Sequence, residues 1–152
     1  MKIILDTSII LLLVKNEKFG IFFEENYQKK FPNDLYYVYV SLGELDAIVK
    51  KNTWGKNKIK YLNDILRGLE LIPMDNYDFV DSYGTIDAYS QGKLKDRPLP
   101  KGLSARNMGK NDIWISAVTL SLKGALITTD KDFDHLHPQI IEVHRIDIQQ
   151  FK

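Results

Sequence analysis

Ile3-Ile4-Leu5-Asp6-Thr7-Ser8, followed by the apolar run Ile9 to Val14, decides the fold of this 152-residue chain. Residues 2–5 read as a short buried strand, because an apolar run of this length is too brief for a core helix. Thr7 and Ser8 can cap a helix that carries Ile9 to Val14. A strand therefore feeds straight into a helix, with a carboxylate at the junction. Three more acidic residues stand at comparable places: Glu44 in Ser41-Leu42-Gly43-Glu44, Asp112 in Lys110-Asn111-Asp112, and Asp130 in Leu126-Ile127-Thr128-Thr129-Asp130.

Outward from that unit the same alternation continues. Residues 16–30 read as helical, and Pro32-Asn33-Asp34 as a turn. Leu35 to Val40 is aromatic and β-branched, a second strand. A helix then runs from Ser41 to about Lys51 and breaks over Asn52 to Gly55. Ile59, Leu62, Ile65, Leu66 and Leu69 mark the next helix. Leu71-Ile72-Pro73 reads as an edge strand, since proline cannot donate to a ladder. Phe79, Tyr83, Ile86 and Tyr89 keep helical spacing. Gly92 to Gly109, with Pro98, Pro100 and Gly102, is a long loop. Ile113 to Leu122 is a helix, Ala125 to Thr128 a strand, and Ile140 to Val143 the last strand. Strands that alternate with helices predict an α/β fold in one domain, residues 1–152: a three-layer α/β/α sandwich around a mostly parallel sheet. Ligands in such sheets bind at the carboxyl ends of strands, where Asp6, Glu44 and Asp130 fall.

Composition narrows the chemistry. The chain is 44% hydrophobic and 27% charged, as in ordinary globular domains. It has no cysteine, which excludes disulfides, thiolate metal sites and cysteine nucleophiles. Ile9 to Val14 is too short to span a membrane, and Asp6 breaks any signal-peptide pattern, so the expected location is the cytoplasm.

The net charge of +1 conceals segregation. Residues 50–60 and 91–110 together hold 11 of the 21 basic residues and 1 of the 20 acidic ones. The rest of the chain is strongly acidic. That pattern fits a polyanion path beside an acidic site, and equally two solvated faces.

Each acid also has an ordinary structural reading. Ser41 and Glu44 match a capping box. Asp112 in a first helical turn complements the helix dipole. Asp130 can start a turn before Asp132. Asp6 is harder to dismiss, since a carboxylate closing a buried strand is costly without a partner. Two carboxylates held about 4 Å apart repel by about 4 kcal/mol at an effective dielectric near 20. Hard divalent cations, which prefer oxygen ligands, offset such repulsion.

The combination resembles the PIN-domain ribonucleases, and more narrowly the toxins of VapBC-type toxin–antitoxin systems. Leu5-Asp6-Thr7-Ser8 matches the opening aspartate motif, and Glu44 the glutamate after the second strand. Gly109-Lys110-Asn111-Asp112-Ile113-Trp114-Ile115-Ser116-Ala117 is the most specific piece and matches the third acidic motif. Leu126 to Phe133 matches the last, with Asp130 as the fourth acid. The resemblance spans essentially the whole chain. It implies a PIN-like fold, one or two Mg²⁺ or Mn²⁺ ions on Asp6, Glu44, Asp112 and Asp130, and hydrolysis of RNA phosphodiesters by metal-activated water. It also implies a cognate antitoxin and a homodimer.

Around these acids, Ser8, Thr128 and Asp132 are the expected supports of the ligands or the attacking water. Lys56, Lys58, Lys60, Lys101, Arg106 and Lys110 are the expected contacts to RNA phosphates. Trp114 reads as core, and His135, His137 and His144 lack zinc spacing. A phospho-receiver domain would need its phosphoacceptor Asp at the end of a middle strand, and a haloacid-dehalogenase-type phosphatase would need Asp-x-Asp where Asp6-Thr7-Ser8 stands. The rival that survives is a catalytically inactive PIN-like module that binds RNA or protein.

Overall fold

In the computed structural model, which describes residues 1–152, the first turn of chain after strand β1 (Ile3–Leu5) is already helix α1 (Thr7–Lys15). Helix α2 (Glu17–Phe23) continues into a π-helical turn, Glu24–Gln28. Strand β2 (Leu35–Val38) leads to α3 (Tyr39–Lys51) and α4 (Lys56–Arg67), then to β3 (Glu70–Ile72). Helix α5 (Asp78–Ser90) is joined by the long loop to α6 (Lys110–Ser121). Strand β4 (Ala125–Thr128), a 3-10 helix (Lys131–Leu136), β5 (Glu142–Arg145) and a second 3-10 helix (Ile148–Phe151) complete the chain.

All strand pairings are parallel, in the order β3-β2-β1-β4-β5. The period-2 alternation of strands divides the apolar residues between two cores. Ile3, Leu5, Leu35, Tyr37, Ala125 and Ile127 face one layer, packed with Ile9, Leu13, Phe19 and Leu62 of α1, α2 and α4. Ile4, Val38, Ile72, Leu126 and Val143 face the other, packed with Phe79, Ile86, Ile115 and Val118 of α5 and α6. The fold is thus the expected three-layer sandwich, with a sheet that is wholly parallel. Gly124 is required between α6 and β4, because a Cβ there would stand 2.7 Å from the Lys2 carbonyl oxygen. That close approach lets β4 lie directly beside β1.

Three local expectations are corrected. The cap of α1 is Asp6, whose side chain accepts from Thr7 N; neither Thr7 nor Ser8 caps it. Helix α3 begins at Tyr39, with no side-chain cap, so Ser41 and Glu44 lie inside the helix and form no capping box. The last strand runs over 142–145 instead of 140–143, because its register is set by β4, with Ala125 opposite Glu142 and Thr128 opposite Arg145. Ile140 and Ile141 are buried in the second core before the strand starts. The closing 3-10 helix had no sequence signal; Phe151 anchors it edge-on against Phe19, ring centroids 5.2 Å apart. No helix is long and apolar enough to cross a membrane.

Candidate functional site

Five acids meet at the carboxyl end of the sheet. Asp6 follows β1 and is 5% exposed. Its Oδ1 accepts from Thr7 N at 2.8 Å, and its Oδ2 accepts from Ser8 Oγ at 2.8 Å and Thr128 Oγ1 at 2.7 Å. The strand-to-helix junction supplies the first two donors and the neighbouring strand end the third. Even so, burial raises the Asp6 pKa, opposed by these hydrogen bonds and aided by the Asp130 charge. Ser8 and Thr128 are themselves tied to the next segment: Thr129 N donates to Ser8 Oγ at 3.1 Å, and Asp130 N to Thr128 Oγ1 at 3.0 Å.

Glu44 reaches the site from the second turn of α3. Thr7 Oγ1 donates to Glu44 Oε1 at 2.9 Å and lies 2.9 Å from the buried Ser41 Oγ. Burial, then the Asp6 charge, raises the Glu44 pKa, while Thr7 and Asn111 favour its ionised form. Thr7, Ser41 and Asn111 were not singled out by the sequence as site residues. The available signal was position, since Thr7 follows a strand-end acid as Ser8 does, and Asn111 precedes Asp112.

Asp112 is the hub. It sits in the first turn of α6, and its pKa is raised to about 7, first by burial and then by the charges of Asp6, Asp130, Glu44 and Asp132. Carboxylate oxygens of Asp112, Asp130 and Asp132 lie within 4.8 Å of one another. Asp130 caps the 3-10 helix by accepting from Asp132 N at 2.9 Å. Asp132, expected as an outer support, therefore lies within the tightest carboxylate group, whereas Asp6 and Glu44 flank it. Three hard oxygen donors this close, with two more beside them and no cation of the protein bonded to any, make a donor set suited to Mg²⁺ or Mn²⁺.

The basic residues divide. Arg106, half-buried, lines a hollow of about 240 Å³ with Ser104, Asn107, Met108 and Asp132. Lys93 joins Arg106 in an adjoining hollow. Lys51 lines a groove with Glu44 and Asn111. Lys110 is exposed at the start of α6, and Lys101 is exposed in the loop. Lys56, Lys58 and Lys60 stand exposed on α4, where Lys58 Nζ lies 4.2 Å from the Trp54 ring centroid. No contact brings those three to the acids. Trp114 is half-buried instead of core, its ring 4.3 Å from that of Tyr83.

The family model of the PIN domain matches residues 3–137. No curated protein matches the sequence. Among solved structures, VapBC2 from Rickettsia felis, bound to a promoter DNA fragment, is similar at 21% identity and a TM-score of 0.73, covering 97% of this chain and 100% of that one. VapBC-1 from nontypeable Haemophilus influenzae is similar at 24% identity and a TM-score of 0.70, covering 95% and 98%. VapBC-5 from Mycobacterium tuberculosis, a member of the VapBC family of toxin–antitoxin systems, is similar at 20% identity and a TM-score of 0.61, covering 94% and 97%. At these identities the likeness is one of fold.

Proposed function

The chain belongs to the PIN-domain family of nucleases, and we propose that it is a Mg²⁺- or Mn²⁺-dependent endoribonuclease, the toxin of a toxin–antitoxin pair, acting in the cytoplasm as a homodimer. The observation that carries this reading is Asp112, whose carboxyl is held at about 7 by burial and by four neighbouring carboxylates. A structural role would not gather four acids from three other segments around one carboxylate.

Asp112, Asp130 and Asp132 would hold one ion, with Asp6 and Glu44 as ligands for the same ion or a second. A bound divalent ion would supply Lewis-acid charge at the scissile phosphate and lower the pKa of the attacking water. The chain's own residues do the rest. Ser8, Thr128 and Thr7 fix the carboxylate orientations, which preserves the geometry between turnovers. Arg106, with Lys93 and Lys110, offers cations to phosphates beside the one being cut. Guanidinium is suited to that task by its planar fork of donors. Lys56, Lys58, Lys60 and Lys101 would guide the backbone farther out through long-range attraction.

The acid cluster also suggests how an antitoxin silences the enzyme. An inserted Arg would pair with Asp112 and its neighbours and compete with the ion for the same oxygens. The three similar solved structures named above are of VapBC proteins, which supports a paired partner.

The test is cleavage of single-stranded RNA by purified protein with Mg²⁺ or Mn²⁺, with chelator and Asp6→Asn as controls, and mapping of new RNA 5′ ends after induction in cells. Expected are divalent-dependent cuts that Asp6→Asn removes, and growth arrest relieved by co-expressing the neighbouring gene. Binding of RNA without cleavage would instead assign the inactive-module role. Light scattering that gives a monomer would remove the homodimer.

A further inference from the structure

The long loop does not wander freely between α5 and α6; its end is fastened to a buried imidazole. His135, in the 3-10 helix that follows Asp130, is 2% exposed. Its Nε2 lies 2.7 Å from Ser90 Oγ, at the last residue of α5. Ser90 Oγ also donates to Met108 Sδ at 3.2 Å, and the Ser90 carbonyl accepts from Arg106 N at 2.8 Å. Tyr89 lies parallel to the imidazole, at 12° between planes, and its hydroxyl donates to the His135 carbonyl at 3.4 Å. The Ser90 side chain thus ties Met108, and the Ser90 main chain Arg106, just before the Gly109 cap of α6, while His135 fixes Ser90 against the 3-10 helix that carries Asp132.

The surroundings make this polar pair costly. Tyr89, Met108, Phe133 and Leu136 belong to the apolar core around it. His135 Nδ1 has no hydrogen bond of good geometry, although the Asp132 backbone lies close enough to favour its protonated form. Burial and the Arg106 charge lower the His135 pKa to about 4, so the ring is neutral. A leucine would fill the position without an orphaned nitrogen, and replacing buried polar pairs by apolar groups is often neutral or stabilising. The latch is therefore not needed to hold the core together. What it links are the three functional segments: the Arg106 loop, the start of α6 with Asp112, and the 3-10 helix with Asp130 and Asp132.

We propose that His135 and Ser90 are positioning residues for RNA cleavage, fixing Arg106 beside the Asp112–Asp130–Asp132 group so that it meets the substrate phosphate. This rests on the nuclease reading above. Neither side chain touches substrate; both act through the loop.

The experiment measures kcat and KM for a labelled single-stranded RNA with Mn²⁺ in wild type, His135→Leu, Ser90→Ala, His135→Gln and Arg106→Gln, alone and combined. His135→Leu and Ser90→Ala should each raise KM about tenfold, with a smaller change in kcat, because misplacement of a binding group is felt in affinity. Each also lowers the melting temperature, since the partner left behind is buried, whereas the double variant His135→Leu/Ser90→Ala should regain the stability and keep the raised KM. His135→Gln, whose amide can occupy the Nε2 position, should recover most of the loss. In the Arg106→Gln background, His135→Leu should cost little more, since groups in one network are not additive. Hydrogen exchange at the Arg106 amide should speed up in His135→Leu. Losses that multiply with Arg106→Gln, or an Arg106 amide exchanging as in wild type, would overturn the proposal while leaving the nuclease reading standing. A wild type that cuts no RNA would overturn the nuclease reading itself and, with it, this role. Should His135→Leu fail to fold, Ser90→Ala decides the same comparison.

Discussion

The two halves of the acidic site are built differently. On one side, Asp6 has three donors from the protein and Glu44 has Thr7, so these carboxylates are oriented by hydroxyls and a backbone amide. On the other, Asp112, Asp130 and Asp132 crowd within 4.8 Å and receive almost no help: Asp130 accepts from one backbone amide, and none of the three meets a side-chain donor or cation. The first half is complete as a folded structure. The second is left electrostatically unfinished, and a cation finishes it. A site that was wholly satisfied would have no use for an ion, and a site wholly unsatisfied would not hold its shape without one.

The largest expected effect tests the unfinished half. Asp112→Asn should lower divalent-dependent RNA cleavage on the order of a hundredfold or more, while the metal-free protein melts at the same or a higher temperature, because a repelling charge has gone. Nuclease assay with a thermal melt reads both. A large fall in melting temperature would make Asp112 structural and collapse the contrast.

The oriented half should respond the other way. Thr128→Val removes the donor to Asp6 and the acceptor for Asp130 N, leaving buried polar groups unpaired. The expected loss of stability is about 1–3 kcal/mol, and divalent affinity should weaken about tenfold. Chemical denaturation and titration calorimetry measure these. An unchanged stability would show that Asp6 does not depend on its hydroxyl partners.

Protons sharpen the same contrast. The Asp112 pKa is about 7 in the fold against 3.8 for an unperturbed aspartate. The unfolded chain therefore releases this proton first, and the metal-free fold should lose stability as pH rises from about 4 to about 7. The rise in melting temperature on adding Mn²⁺ should accordingly be larger near pH 8 than near pH 5.5, since proton and ion compete for one carboxylate. Scanning fluorimetry at both pH values checks it, and an equal rise at both would take Asp112 out of the ion's ligand set.

The smallest effect separates the basic stretches. Arg106→Gln should lower the slope of log affinity for RNA against log salt by about one. Replacing Lys56, Lys58 and Lys60 together by Gln should flatten that slope by less than one for each lysine, since all three stand exposed on α4 and none lines the hollows and groove beside the acids. An unchanged slope would remove α4 from the RNA path.

What the sequence determined by itself was periodic or local. Apolar runs of three or four residues alternating with helical spacing were enough for a parallel sheet between helix layers, because burial on two faces demands that pattern. Asp6, Glu44, Asp112 and Asp130 were legible as candidates because each reads in the sequence as lying just past a strand end or near a helix start. The resemblance to PIN domains rested on those same positions. The tertiary structure alone decided what depended on distance between remote segments. Asp132 joined the tightest carboxylates because the 3-10 helix turns it back toward α6. Glu44 proved to be Thr7's partner and not half of a capping box, since α3 begins two residues early. The two lysine- and arginine-rich stretches, alike in net charge, parted because one ends on a buried Ser90–His135 contact beside the acids and the other lies exposed on α4, its lysines in no contact with them. Sequence carries the charge of a residue, but the repulsion that makes a metal site, and the contact that aims an arginine, fall off over a few ångströms and exist only once the chain has folded.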